Sequence, residues 1–329
     1  MYKNKYKKIE KSVLFNNYLL FLHTFLQTII LNIMNFDDLQ GSIVAIVTPF
    51  NECGQIDYEK FDELIEWQIM QGTKGVVVCG TTAETPAMSE SECDMLIRRA
   101  VLIVNGRVPV IAGSGSSSTQ ESINYSRFAE NEGADAILVV SPYYNRPTIK
   151  GQYMHFAEIA QSVSIPIILY NVPARTGSTI PYDLAINLAN MYSNIRGIKE
   201  ASGSFQTFTH LLENRPAGFK VFSGDDFLST AVNLMGADGC ISVIANIIPK
   251  EFQEMMSASI NAETAKARSL FFKYKKLLEL MSIETNPIPV KTALAAMGKI
   301  NEIFRLPLCE MNTDNKKLLL SEMENLGLL

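Results

Sequence analysis

The chain has 329 residues, of which 47% are hydrophobic and 19% charged, and carries a formal net charge of −5. A mild acidic balance with no clustered basic face excludes a nucleic-acid footprint, and the length suits one large α/β barrel or two medium domains. Five cysteines (Cys53, Cys79, Cys93, Cys240 and Cys309) include no CxxC pair and fit a reducing, cytoplasmic compartment. Cys79 and Cys240 lie in apolar runs and read as small buried hydrophobes. His23, His155 and His210 stand apart from one another and from acidic clusters, so no metal site is expected. The absence of a GxSxG elbow argues against a serine hydrolase.

The N-terminal stretch MYKNKYKKIEK holds five lysines and one glutamate, and LFNNYLLFLHTFLQTIILNIM follows it. A secretory signal needs a small-residue cleavage site, which is missing. The apolar run is interrupted by Asn, His, Thr and Gln, which makes a poor membrane span. The segment 1–36 is therefore expected to be a dispensable extension, with translation starting at Met34 as one form of that reading. A catalytic barrel is expected over 37–262 and a helical layer over 263–329.

From residue 42 onward, short β-branched runs alternate with amphipathic ones. Strands are predicted at 42–48, 75–80, 108–113, 135–141, 165–171, 195–201, 219–224 and 238–243, with a helical segment after each. Near-continuous apolar strands covered by helices imply a parallel sheet. Gly72, Gly133 and Gly236 close helices just before the next strand. Eight βα units fit a (β/α)8 TIM barrel better than a Rossmann fold, which alternates about six times. The α/β barrel would be followed by a C-terminal helical extension. GSGSSST after the third strand has the look of a phosphate loop but lacks its third glycine and later acid.

Catalytic groups of such a barrel gather where the strands end. The second strand ends in Gly80-Thr81-Thr82-Ala83-Glu84, the fourth in Ser141-Pro142-Tyr143-Tyr144 and the fifth in Tyr170-Asn171-Val172-Pro173-Ala174-Arg175. The sixth carries Lys199 in an otherwise apolar run. Taken by itself, a lysine there reads as snorkelling to solvent or pairing with Glu200. By alternation it shares a face with Gly197 and Ile195, and if that face is the interior, Gly197 leaves room beside it. An amine desolvated in such a shaft is disposed to be neutral and can attack a carbonyl to form a Schiff base. Tyrosines beside it can move protons. The hydroxyls and N–H groups of Gly-Thr-Thr suit a small carboxylate, and Arg175 offers a planar fork for a second one. Glu84 and Glu200 read as loop braces rather than reacting groups.

Several runs occur in one order: GTTAE, SPYYNRP, LYNVPARTG, GIKEASG, FSGDD, GCISV and NPIPVK. With them the chain resembles the dihydrodipicolinate synthases of the N-acetylneuraminate lyase superfamily, from residue 41 to the closing residues. The resemblance implies that Lys199 forms a Schiff base with pyruvate and that Tyr170 is the acid/base beside it. Thr81 would link Tyr170 to Tyr144, which would reach in from a neighbouring subunit. Thr82 would hold the pyruvate carboxylate, and Ile241 would line that pocket through its backbone. Arg175 would bind the carboxylate of L-aspartate 4-semialdehyde. The implied product is 4-hydroxy-tetrahydrodipicolinate, on the route to diaminopimelate and lysine. The implied assembly is a homotetramer built as a dimer of dimers, without metal, other cofactor or membrane.

Two departures from the family pattern carry expectations. Ala83 replaces the usual glycine of Gly-Thr-Thr-Gly-Glu, and its methyl requires φ below zero. At the family's lysine site Tyr143 and Glu121 persist, but Ser117, Glu90 and Cys93 replace an asparagine and two histidines. Weak or absent inhibition by lysine is expected from those changes. The rival readings are a sibling pyruvate lyase, such as N-acetylneuraminate lyase or a keto-deoxy sugar acid aldolase, and a non-catalytic metabolite-binding barrel. Arg175 speaks against a polyol pocket, and Lys199 with its tyrosines against a mere binder.

Overall fold

Runs of Val and Ile with apolar side chains on both faces can be buried only between two layers, and here they form the wall of a barrel. The structure, a computed structural model, describes residues 36–329; the expectations for the basic N-terminal segment and for a start at Met34 lie outside the described residues. The strands are β1 (Gly41–Ala45), β2 (Val76–Val78), β3 (Val110–Gly113), β4 (Ala136–Val140), β5 (Ile167–Asn171), β6 (Ile195–Glu200), β7 (Lys220–Ser223) and β8 (Gly239–Ser242). They pair in parallel and in chain order into a closed barrel, so the (β/α)8 expectation holds. Closure runs through β1 and β8, where Gly41 pairs with Gly239 and Ile43 with Ile241. Gly239 has φ 134°, and a Cβ there would stand 2.0 Å from the Gly41 carbonyl oxygen, so any side chain would pry the seam apart.

Each strand is one to three residues shorter than its predicted run, because the flanking residues turn off the ladder into caps and loops. The helices after the strands are α1 (Tyr58–Met70), α2 (Glu90–Val104), α3 (Thr119–Asn131), α4 (Ile149–Ala160), α5 (Tyr182–Met191), α6 (Phe205–Asn214), α7 (Asp226–Leu234) and α8 (Pro249–Ile260). Six of these start on a side-chain cap that accepts a backbone N–H from the first turn: Asp57, Ser89, Ser118, Thr148, Ser204 and Asp225. Gly72, Gly133 and Gly236 follow α1, α3 and α7 with φ of 90°, 89° and 104°, the left-handed exit that glycine makes cheap. Three further helices, α9 (Thr264–Leu280), α10 (Ile288–Ala296) and α11 (Thr313–Asn325), form the C-terminal extension. Among the described residues no helix is long and apolar enough to cross a membrane.

Alternation divides the strand side chains between two cores. Val44, Val76, Ile137, Leu169 and Ile198 belong to the cluster that joins strands to helices. Their neighbours Ile43, Val77, Ile111, Ile168, Phe222 and Ile241 are buried outside that cluster, inside the barrel. A register shift interrupts this pattern in β6: Ile167 faces Ile195, but Ile168 faces Gly197. Arg196 is the extra residue. Ile195 therefore falls in the helix-facing cluster and does not share the face of Lys199, contrary to strict alternation from the sequence. The same shift aligns Tyr170 with Lys199 across the β5–β6 ladder.

His155 on α4 is buried, with Nδ1 2.9 Å from the Thr119 hydroxyl and Nε2 without a partner. Burial pushes its pKa down from 6.5 to about 4. The unfolded chain thus binds a proton that the folded chain refuses, so this contribution to stability is complete above pH 6.5 and is lost as pH falls toward 4. Urea unfolding between pH 7 and pH 4 is expected to lose up to about 3 kcal/mol more in the native chain than in His155→Gln. Identical pH slopes for the two would contradict this assignment.

Candidate active site

Lys199 lies one residue before the end of β6 and is 5% exposed. Its Nζ sits 4.5 Å from the centroid of the Tyr170 ring, a favourable seat for a cation and an apolar wall for a free amine. Among the described residues no carboxylate pairs with it. Glu200, the partner that the sequence offered, is turned away: its Oε2 accepts from Asn171 Nδ2 at 2.7 Å and its Oε1 from the Ser202 N–H at 2.6 Å. Burial raises its pKa, and the carboxyl braces the loop after β6. The room beside Lys199 comes from Gly224, not Gly197. A Cβ on Gly224 would stand 2.8 Å from Lys199 Cε, whereas one on Gly197 would meet the Lys220 carbonyl oxygen at 2.8 Å.

Thr81, Thr82 and Ala83 form a 3-10 turn after β2, bracketed by Cys79 (φ 55°) and Glu84 (φ 59°) in the left-handed region. Ala83 itself keeps a negative φ and its methyl is buried, so the exchange for glycine costs the turn nothing visible. Thr82 is buried, and its Oγ1 accepts from Asn286 Nδ2 at 3.0 Å. The Asn286 carbonyl in turn accepts from Arg175 Nη2 at 3.1 Å. Glu84 makes a wholly buried ion pair with Lys291 on α10 at 2.5 Å, and its other oxygen accepts from the Arg305 N–H at 3.1 Å. Lys291 Nζ lies 4.3 Å from the Phe50 ring centroid. Burial pulls the Lys291 pKa down to about 8 against the opposing pull of Glu84. Glu84 is thus a brace, as its strand-end position suggested.

A cleft of about 830 Å³ opens above this turn, and Thr81, Tyr144, Tyr170 and Arg175 all line it. Lys199, Thr82 and Ile241 are not on its surface; Lys199 adjoins it through the Tyr170 ring. Arg175 is exposed, on the single helical turn Pro173–Thr176 after β5. Tyr144 is 94% exposed with φ 68°, held outward in a loop whose Asn145 Nδ2 donates to the Ser117 carbonyl at 2.9 Å. Within one chain it therefore lines the rim and does not close on Thr81. Ile241 is buried in β8, paired with Ile43. The buried carboxylate of Asp226 accepts from the N–H groups of Val243 and Ile244 at 3.1 and 2.8 Å, fixing the turn after β8.

The glycines of GSGSSST serve packing. A Cβ on Gly113 would stand 2.1 Å from the Cys79 carbonyl oxygen, and one on Gly115 would stand 2.4 Å from the Val140 nitrogen. Among the described residues no group of three or more His, Cys, Asp or Glu side chains is disposed to hold a metal ion. Asn286, Lys291, Gly224 and Asp226 were not assigned roles from the sequence, although NPIPVK and FSGDD contain all four. Their partners lie far along the chain, where local pattern carries no signal.

The model of the dihydrodipicolinate synthetase family matches residues 38–326. A 4-hydroxy-tetrahydrodipicolinate synthase of Thermodesulfovibrio yellowstonii is 48% identical over 290 residues, covering 88% of this chain and 99% of that protein. The chloride-inhibited dihydrodipicolinate synthase of Acinetobacter baumannii, solved in complex with pyruvate, superposes with a TM-score of 0.87 at 42% identity, covering 88% of this chain and all of that one. The enzyme of Cyanidioschyzon merolae, solved with lysine bound, superposes with a TM-score of 0.86 at 34% identity, covering 89% and 99%. Barrel, strand-end motifs and sequence agree over nearly the whole described chain, which belongs to the dihydrodipicolinate synthetase family.

Proposed function

We propose that this chain condenses pyruvate with L-aspartate 4-semialdehyde to give 4-hydroxy-tetrahydrodipicolinate, through a Schiff base on Lys199, in diaminopimelate and lysine biosynthesis. The observation that carries this reading is the buried, carboxylate-free amine of Lys199 against the Tyr170 ring at the strand ends of a closed barrel. The free amine adds to the ketone carbon of pyruvate, and the carbinolamine loses water to leave an imine. Loss of a methyl proton gives the enamine, whose carbon attacks the aldehyde of the second substrate. The amino group of that substrate then closes on the imine carbon and releases Lys199, so one water is lost overall.

In this reading Tyr170 gives and takes the protons of the amine and carbinolamine. The Thr81 hydroxyl carries them toward Tyr144, and Thr82 with the Ile241 backbone holds the pyruvate carboxylate. Arg175, on the rim with its fork free on one side, receives the carboxylate of the semialdehyde; that charge favours a short aldehyde acid over a sugar. An almost fully exposed Tyr144 in a left-handed conformation supports completion of the site by a second copy. The working unit is then a homotetramer of two tight dimers acting in the cytoplasm, with no cofactor.

A coupled assay with both substrates is expected to give product, and none with either alone. Arg175→Met is expected to raise KM for the semialdehyde about 10- to 100-fold, the loss of a charge-assisted contact of about 1.5–3 kcal/mol, while pyruvate adduct formation persists. An unchanged KM would remove Arg175 from the second-substrate site. Tyr144→Phe is expected to lose most turnover yet retain more pyruvate adduct than Lys199→Ala, and equal loss of adduct would contradict their roles. Glu90, Cys93 and Glu121 line the same cleft as Tyr143, and with two histidines replaced, lysine below about 1 mM is expected to leave the rate nearly unchanged. Strong inhibition in that range would overturn the expectation.

A further inference from the structure

Two thiols meet beneath the turn that carries Thr81 and Thr82. Cys79 follows β2 directly, and Cys93 lies in the first turn of α2. The Cys79 Sγ–H donates to the Cys93 carbonyl oxygen at 3.6 Å, which sets the two residues side by side. Both are free thiols and both line the cleft beside Thr81 and Tyr170. Cys79 is buried and Cys93 half-buried, so a small solute in the cleft reaches Cys93 first. The bland alternative is a pair of packed small hydrophobes with no chemistry.

We propose that Cys79 and Cys93 are a modification site: hydrogen peroxide entering the cleft closes them into a disulfide that displaces the Thr81–Thr82 turn and lowers activity. In the first step the Cys93 sulfur bonds to one peroxide oxygen. The O–O bond breaks, and hydroxide leaves as water with the thiol proton. In the second step the Cys79 sulfur attacks the Cys93 sulfenic sulfur, the S–O bond breaks, and the hydroxyl departs as water with the Cys79 proton. Two thiols are oxidised and one peroxide is reduced to two waters. The Cys79 side chain beside it favours thiolate at Cys93, against burial and the repulsion of Asp94, Glu92 and Glu90, while at Cys79 the Cys93 side chain and burial hold the proton on. The nucleophile and the resolving thiol are thereby distinguished.

The turn has little slack to absorb the new bond. Cys79 already occupies the left-handed region at φ 55°, an uncommon conformation for a residue with a side chain. Its carbonyl is wedged against Gly113, 2.1 Å from where a Cβ would stand there. The Cys79 sulfur must leave the Cys93 carbonyl and close to a bond of about 2 Å. Movement is therefore passed along the chain to Thr81 and Thr82, the groups that the proposed reaction positions.

The test uses the full chain with Cys53→Ser and Cys309→Ser, which removes the two exposed thiols. After treatment of the reduced protein with hydrogen peroxide, alkylation and non-reducing peptide mapping, a peptide pair joining Cys79 to Cys93 and lighter by two hydrogens is expected. kcat/KM for pyruvate is expected to fall about tenfold, within the range for sub-ångström misplacement of positioned groups, and to recover with dithiothreitol. Addition of Cys93→Ser, or of Cys79→Ala should that variant fold poorly, is expected to give an enzyme that keeps its rate through the same treatment. No linked peptide, a linked peptide with an unchanged rate, or an equal reversible loss in the Cys93→Ser protein would each overturn the proposal. The link is read by mass, so its failure is distinct from failure of the proposed reaction.

Discussion

A lysine amine kept inside a closed ring of strands, with no carboxylate to hold it, is the constraint on which the site depends. Burying an amine without a carboxylate partner is costly, and the neighbouring groups are arranged around it. The Tyr170 ring lies 4.5 Å away, Glu200 is engaged by Asn171 and Ser202, and Gly224 yields the space that the side chain occupies. The register shift at Arg196 brings Tyr170 alongside. Without it, alternation along β6 would place Ile195 and Lys199 on the same face.

The C-terminal helices belong to this arrangement. Glu84 ends the turn that carries the two threonines, and its carboxylate is held by Lys291 and the Arg305 backbone. The Arg305 guanidinium grips Glu92 on α2 with two hydrogen bonds of 2.8 and 2.6 Å. Asn286 reaches Thr82 with its side chain and Arg175 with its carbonyl. Removing one member of a wholly buried ion pair costs about 3–5 kcal/mol, so the extension clamps the turn rather than resting on the barrel. Lys291, desolvated but paired, shows by contrast what is unusual about Lys199.

The fold was legible because strand burial leaves a local signature. SIVAIVT, DAILVVS and IPIILYN each announce a two-sided strand, and the capping residues and exit glycines mark the helices between. The site was legible only in part. Thr81, Tyr170 and Arg175 do share a cleft, and Lys199 adjoins it, as strand-end positions imply. Which glycine makes room for Lys199 was not legible, because Gly197 lies within β6 near the lysine in sequence, whereas Gly224 follows β7 and meets it only through contacts across the two strands. The clamp through Asn286, Lys291 and Arg305 joins residues more than 200 positions apart, a separation at which periodicity says nothing. Cys79 read as an inert hydrophobe, since Cys93 is its neighbour only after α2 folds back on β2.

The central claim is that the amine at position 199 captures the ketone, and the two lysines buried among the described residues, Lys199 and Lys291, permit a direct decision. Sodium borohydride reduction in the presence of labelled pyruvate, followed by peptide mass mapping, is predicted to leave one stable adduct, on Lys199 and absent from Lys291. No adduct, or an adduct on Lys291 with Lys199 unmodified, would contradict the account.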